Sequence, residues 1–196
     1  MIKVALSLVF SLVFSLSLVF LTSTAFAQKA SSGISYSMPA VEVGFKWNTA
    51  TITNSVSDKQ EVGYQLGVSA VFNFSENIGL KSGMFYSERP FKSELAASTI
   101  KGKITYFEVP LLLMFKFEDF AGAYVGPSLA IKLGDEVTPG ILTDAKSMVV
   151  PITFGAQFKF TPVLGANVFF ETVAGDLAKD LSNSRAVGVN LLFSLD

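Results

Sequence analysis

From Ala40 onward, apolar side chains recur at every second position through eight segments of about ten residues or more, and this period most restricts the fold. The segments are Ala40–Thr49, Glu61–Phe74, Ile78–Ser87, Gly102–Phe117, Phe120–Gly134, Met148–Phe160, Leu164–Ala174 and Arg185–Leu195. Successive side chains of a strand point to opposite faces, so a period of two marks strands with one apolar face. That face reads Val41, Val43, Phe45, Trp47 on the first segment and Phe107, Val109, Leu111, Leu113, Phe115, Phe117 on the fourth. The other face collects glycine, with 11 of the 15 glycines lying on it, from Gly44 to Gly188.

Composition decides what the apolar face meets. Charged residues make up 16% of the chain and Phe alone numbers 19. A typical soluble domain carries about 25% charge. After Leu21, no apolar run reaches the roughly 20 residues that a membrane helix needs. A chain that crosses lipid without helices must pair every backbone group between strands, which only a closed barrel achieves. The predicted fold is therefore all-β, an eight-stranded antiparallel up-and-down transmembrane barrel. Its apolar stripes face lipid, and inward glycines leave room for Phe85, Tyr106, Tyr124 and Phe169 in a narrow lumen.

The connections fit that reading. Ser75–Asn77, Glu118–Asp119 and Thr161–Val163 are tight turns, whereas Ala50–Gln60, Glu88–Lys101, Asp135–Ser147 and Gly175–Ser184 are long. Outer-membrane barrels have short periplasmic turns and long extracellular loops, with aromatic girdles at both interfaces. This orientation predicts a periplasmic girdle of Phe74, Phe117, Phe160 and Phe193, with Trp47 and Tyr86 at the outer interface. Pro110, Pro127 and Pro151 fall inside strands, where bulges or bends are expected.

The N-terminus has the layout of an export signal: Lys3, an apolar run from Val4 to Leu21, then Ala25-Phe26-Ala27. We read 1–27 as a signal peptide cleaved after Ala27, 28–39 as a polar leader, and 40–196 as the barrel. An uncleaved anchor is the competing reading of the same run. The chain has no Cys, and its 15 basic against 16 acidic residues give no reason to expect nucleic acid as a partner. The expected surroundings are outer-membrane lipids, with the barrel-assembly machinery as a partner during biogenesis and a monomer as the final state.

Charges predicted to point inward are Glu42, Lys46, Lys81, Glu108, Lys116, Lys132, Lys159 and Glu171, beside Tyr106 and Tyr124. Buried charges must be paired, so they are read as a structural network in which Lys81 reaches Glu108. The absence of His and Cys removes the usual nucleophilic and metal-ligating constellations. No catalytic residue, cofactor or metal is expected. The acidic loop residues Asp135, Glu136, Asp144, Asp176 and Asp180 are read as solvated surface.

Three segments carry a family resemblance. Ile104-Thr-Tyr-Phe-Glu-Val-Pro-Leu-Leu-Leu-Met-Phe-Lys116 resembles a strand of the PorT-like outer-membrane β-barrel family of Bacteroidota. Ile78–Ser87 is similar to that family's preceding strand, and Tyr124–Leu129 to its following one. The end, Phe193-Ser-Leu-Asp196, departs from the terminal aromatic common in such barrels. The resemblance implies a small barrel in the outer membrane of a Gram-negative, Bacteroidota-type cell. The expected role is non-enzymatic, structural or through the long surface loops. A small conduit and a soluble periplasmic barrel holding an apolar ligand are the alternatives.

Overall fold

A computed structural model of the chain describes residues 35–195 apart from 54, 95–98, 119, 141 and 143. The strands are β1 (Ser35–Ile52), β2 (Ser57–Lys59), β3 (Glu61–Asn73), β4 (Ile78–Glu94), β5 (Thr99–Glu118), β6 (Ala121–Thr138), β7 (Met148–Val149), β8 (Pro151–Lys159), β9 (Leu164–Val173) and β10 (Leu181–Ser194). The antiparallel order runs β4-β3-β1-β10-β9-β8-β6-β5 and returns from β5 to β4, so the sheet closes. First and last strands meet along Ala40↔Ser194 to Thr49↔Arg185. β7 and β8 pair with β6 in one register, Ile131↔Met148 continuing to Pro127↔Ile152, and form a single stave. β2 pairs with the upper end of β4, beyond β3. The result is the eight-stranded barrel that the period predicts.

The outer surface carries the apolar stripes. Phe45 is 48% exposed and Leu111 48%, while Glu42 and Tyr106 between the same stripes are buried. Phe107 to Phe117 spans ten residues of β5, about 33 Å of strand or roughly 25 Å along the axis at a tilt near 40°. That height matches the hydrocarbon of an outer membrane. Phe74, Phe117, Phe160 and Phe193 all face outward at the lower rim, and Trp47 and Tyr86 face outward nearer the top.

Several strands run further than the sequence pattern indicates, mostly at the end that carries the long connections. β1 continues to Ile52, β4 to Glu94 and β6 to Thr138, and β10 begins at Leu181, so the segments read as loops shrink. The pattern does not stop there; it changes hands. Outward positions become polar and inward positions apolar, as in Lys103-Ile104-Thr105 and Phe91-Lys92, where Ile104 and Phe91 are fully buried. Above the lipid the outer face meets water, so the two faces exchange chemistry along one strand. Phe91, Ile104, Ile52, Val149 and Val173 form an apolar cluster with Leu177, Ala178 and Leu181, and Leu142 and Ala145 pack against it. This cluster caps the lumen. Outside it, Lys103–Glu88 (3.2 Å), Lys101–Glu61 (3.3 Å) and Lys59–Glu94 (3.4 Å) lie on the wet face.

At the other end β1 begins at Ser35, inside the stretch read as a polar leader, and pairs there with β3 (Ser35↔Asn73). The proposed signal peptide lies outside the described residues. The proline expectation needs correcting. The ladder lacks pairs around Pro110, but its register does not shift, with Ser82↔Leu111 and Phe85↔Glu108 in phase. A proline removes an N–H without inserting a residue, so the ladder loses a bond and keeps its count. Register shifts lie instead between Ser37 and Ala40, Thr49 and Thr51, Thr105 and Tyr106, and Lys116 and Glu118.

Glycine makes the narrow lumen possible where aromatic rings enter it. A Cβ on Gly188 would run into the Phe169 ring, and one on Gly155 would meet Phe169 and Tyr124. Gly188→Ala should cost about 1–3 kcal/mol through overpacking. Adding Phe169→Ala should recover part of that loss. Urea unfolding in lipid vesicles measures both, and an unaffected Gly188→Ala would show that the ring is not held there.

Candidate functional site

The lumen holds a column of buried charges in two layers, assembled from strands far apart in sequence. Lys46 on β1, Arg89 on β4, Glu108 on β5 and Glu171 on β9 make the upper layer. Arg89 Nη2 donates to Glu108 Oε1 at 2.6 Å and Arg89 Nη1 lies 2.6 Å from Glu171 Oε1. Lys46 Nζ sits 3.1 Å from Glu171 Oε1 and 3.7 Å from Glu108 Oε1, and donates to Ser87 Oγ at 2.8 Å. The Arg89 guanidinium lies 5.6 Å from the Tyr106 ring centre. A planar fork that joins two carboxylates is the arrangement arginine makes better than lysine.

The lower layer centres on Glu42. Lys81 Nζ is 2.9 Å from Glu42 Oε1 and donates to Gln157 Oε1 at 2.8 Å. Ser69 Oγ also donates to Glu42 Oε1. Asn167 Nδ2 and Asn190 Nδ2 donate to Glu42 Oε2 at 2.6 and 3.1 Å. Lys81 stands 4.9 Å from the Tyr124 ring centre. Glu42, Glu108 and Glu171 thus face Lys46, Lys81 and Arg89, and all six are buried. Three negative charges against three positive leave the column neutral, which is how charges survive removal from water.

Two expectations change. Lys81 does not reach Glu108; it pairs with Glu42. On the β4–β5 ladder Glu108 lies opposite Phe85, and Lys81 opposite Leu112. Four residues of strand separate the two rungs by about 13 Å along the strand. The partner of Glu108 is Arg89, a residue placed by sequence pattern in a loop. Its signal was available: Arg89 continues the inward parity of Lys81, Gly83, Phe85 and Ser87.

Three of the predicted inward lysines stand outside the column. Lys116 Nζ donates to Asn73 Oδ1 at 2.8 Å near the lower rim. Lys132 pairs with Asp135 at 2.7 Å near the top, with its side chain 24% exposed. Lys159 lines the mouth at the short-turn end beside Met38 and Ser194. These positions share the parity of the column but lie toward strand ends, where a long side chain reaches water.

The lumen is filled at both ends. The apolar cap closes the top, and at the bottom Met38 packs against the cluster of Val71, Leu112, Met114, Tyr124 and Phe169. Between them is a cavity of about 40 Å³. Among the described residues there is no group of three or more His, Cys, Asp or Glu arranged to hold a metal ion. What this arrangement does chemically is pair charges and fix strands.

The column generates a stability prediction. Glu171→Gln leaves Lys46 and Arg89 buried with half their counter-charge, and should cost about 3–5 kcal/mol. In a double-mutant cycle with Lys46→Met, the two losses should be strongly non-additive. Additive losses would separate the two residues energetically.

Comparison with known proteins agrees with this geometry. A family model described as "Outer membrane protein beta-barrel domain" matches residues 26–188. The crystal structure of Neisserial surface protein A is similar with a TM-score of 0.57 and 13% identity, covering 82% of this chain and 99% of that one. The attachment invasion locus protein of Yersinia pestis, Ail, gives a TM-score of 0.44 and 13% identity over 79% of this chain and 97% of that one. At such identity the first likeness is one of fold. No curated protein matches the sequence.

Proposed function

The chain belongs to the family of outer membrane proteins with a beta-barrel domain, and from that premise we propose that it is a non-enzymatic integral barrel acting through its extracellular surface. One observation carries this reading: the lumen is occupied by a charge-neutral column and capped by apolar side chains. A filled interior leaves the outer end as the surface free to meet partners, and loops on a rigid scaffold commonly carry recognition. Among the described residues, that surface comprises parts of the connections around 55–60, 139–147 and 174–180. It includes the exposed residues Asp144, Asp176, Lys179 and Asp180.

The finer parts of the reading rest on sequence pattern. We place the protein with the PorT-like barrels of Bacteroidota-type cells on the strength of Ile104–Lys116. Residues 1–27 act as a cleaved signal peptide, and the mature chain is a monomer in outer-membrane lipid, inserted by the barrel-assembly machinery. The column keeps the staves in register and has no catalytic part.

The soluble ligand-binding alternative needs apolar residues inside and polar residues outside along the whole barrel. That pattern holds only above the apolar band, where Phe91, Ile104 and Leu181 pack together in the lumen. The conduit alternative gains nothing from a filled lumen, since an eight-stranded barrel has an interior that side chains just fill.

Two measurements test the proposal together. Protease applied to intact cells should cut within the connections around 139–147 and 174–180 and spare the band. Purified protein in planar bilayers should give no large, steady single-channel currents. Steady currents would replace the surface role with transport, and cuts within the apolar band would overturn the topology.

A further inference from the structure

The cavity between the two charge layers has an apolar wall of Phe85, Leu112 and Phe169 with polar side chains set into it. Gln65, Asn167 and Asn190 line it, together with Ser128 and Thr153. The side-chain oxygens of Gln65, Asn167 and Asn190 are buried and accept no hydrogen bond among the described residues. Neither asparagine can turn its amide to correct this, because each Nδ2 is held by Glu42 Oε2. Flipping either would aim a carbonyl at a carboxylate. Three acceptors on residues that line one small space therefore lack donors of their own, and a buried acceptor left unmet carries its full desolvation cost.

We propose that this chamber is a hydration site holding a small cluster of ordered water, which ties the Glu42 layer to the Glu108–Glu171 layer. The volume of about 40 Å³ admits roughly three waters at 10–15 Å³ of accessible space each. Water supplies the donors that the three carbonyls lack and can return hydrogen bonds to Ser128 and Thr153. An apolar guest would leave the carbonyls unmet. A metal cation would satisfy them, but the column is already neutral at three against three, and an added charge would have no counter-charge in a buried site. The inference deepens the structural reading of the lumen and rests on it. The apolar cap lies above the chamber and Met38 packs below it.

The test uses the full mature barrel in lipid nanodiscs. Water-to-protein cross-relaxation in NMR should reach the side-chain amide protons of Gln65, Asn167 and Asn190, with residence longer than nanoseconds. A crystal soaked in rubidium chloride should show no anomalous peak in the chamber. Gln65→Leu, which removes one orphan carbonyl, should weaken the water signal at Asn190 while melting within a few degrees of wild type. A chamber with no water cross-relaxation overturns the proposal, and so does a rubidium peak bound to the three carbonyls. The proteolysis and conductance results are independent of all three readouts, so failure here leaves the surface role standing.

Discussion

No backbone N–H or C=O can be left unpaired in hydrocarbon, and the rest of this structure depends on that requirement. A sheet that crosses lipid must close on itself, and eight staves close around a bore only as wide as the side chains that fill it. Closure then dictates residue choice on both faces. Outside, the staves carry Phe, Leu and Val because they touch lipid. Inside, Gly155 and Gly188 give way to the Phe169 ring, and small residues alternate with large ones around the lumen.

The same closure strands polar groups. Once bulk water is excluded from the bore, a charge there survives only with a partner, and the chain places three carboxylates against three cations on different strands. Arg89 contributes most to this, since one guanidinium ties β4 to both β5 and β9. Pairs that span the bore lock register as well as neutralise charge. Above the band water returns outside, and the lumen can be apolar again; Phe91, Ile104 and Leu181 fill it. One barrel thus contains two cores of opposite chemistry, stacked along its axis.

Much of this was legible in the period of the sequence. A one-residue alternation reveals which face each side chain takes, and Glu42, Lys46, Lys81, Glu108 and Glu171 all point where that alternation puts them. It does not reveal which rung of one strand meets which rung of the next. That is why Lys81 was matched to Glu108 when the register sets them four residues apart. Nor does an apolar-stripe criterion follow a strand past the lipid boundary. Glu88–Glu94 looks like loop to a reader seeking outward Leu and Val, because there Glu88, Lys92 and Glu94 take the positions of outward parity. Leu177 and Leu181 reach the cap by tertiary folding of a connection, which no local pattern encodes. The expectation of a signal peptide rests on the charge and apolar pattern of residues 1–27 alone.

Which face touches lipid can be measured directly with tryptophan and brominated acyl chains. With Trp47 replaced by Phe, a single Trp is placed in turn at Val109, Leu111 and Leu113 on the outer face, then at Tyr106 and Tyr124 in the lumen. Lipid-borne bromine should quench the first three strongly and the last two little. Equal quenching at both sets, or stronger quenching at Tyr106 and Tyr124, would contradict a closed barrel with its apolar face toward the membrane.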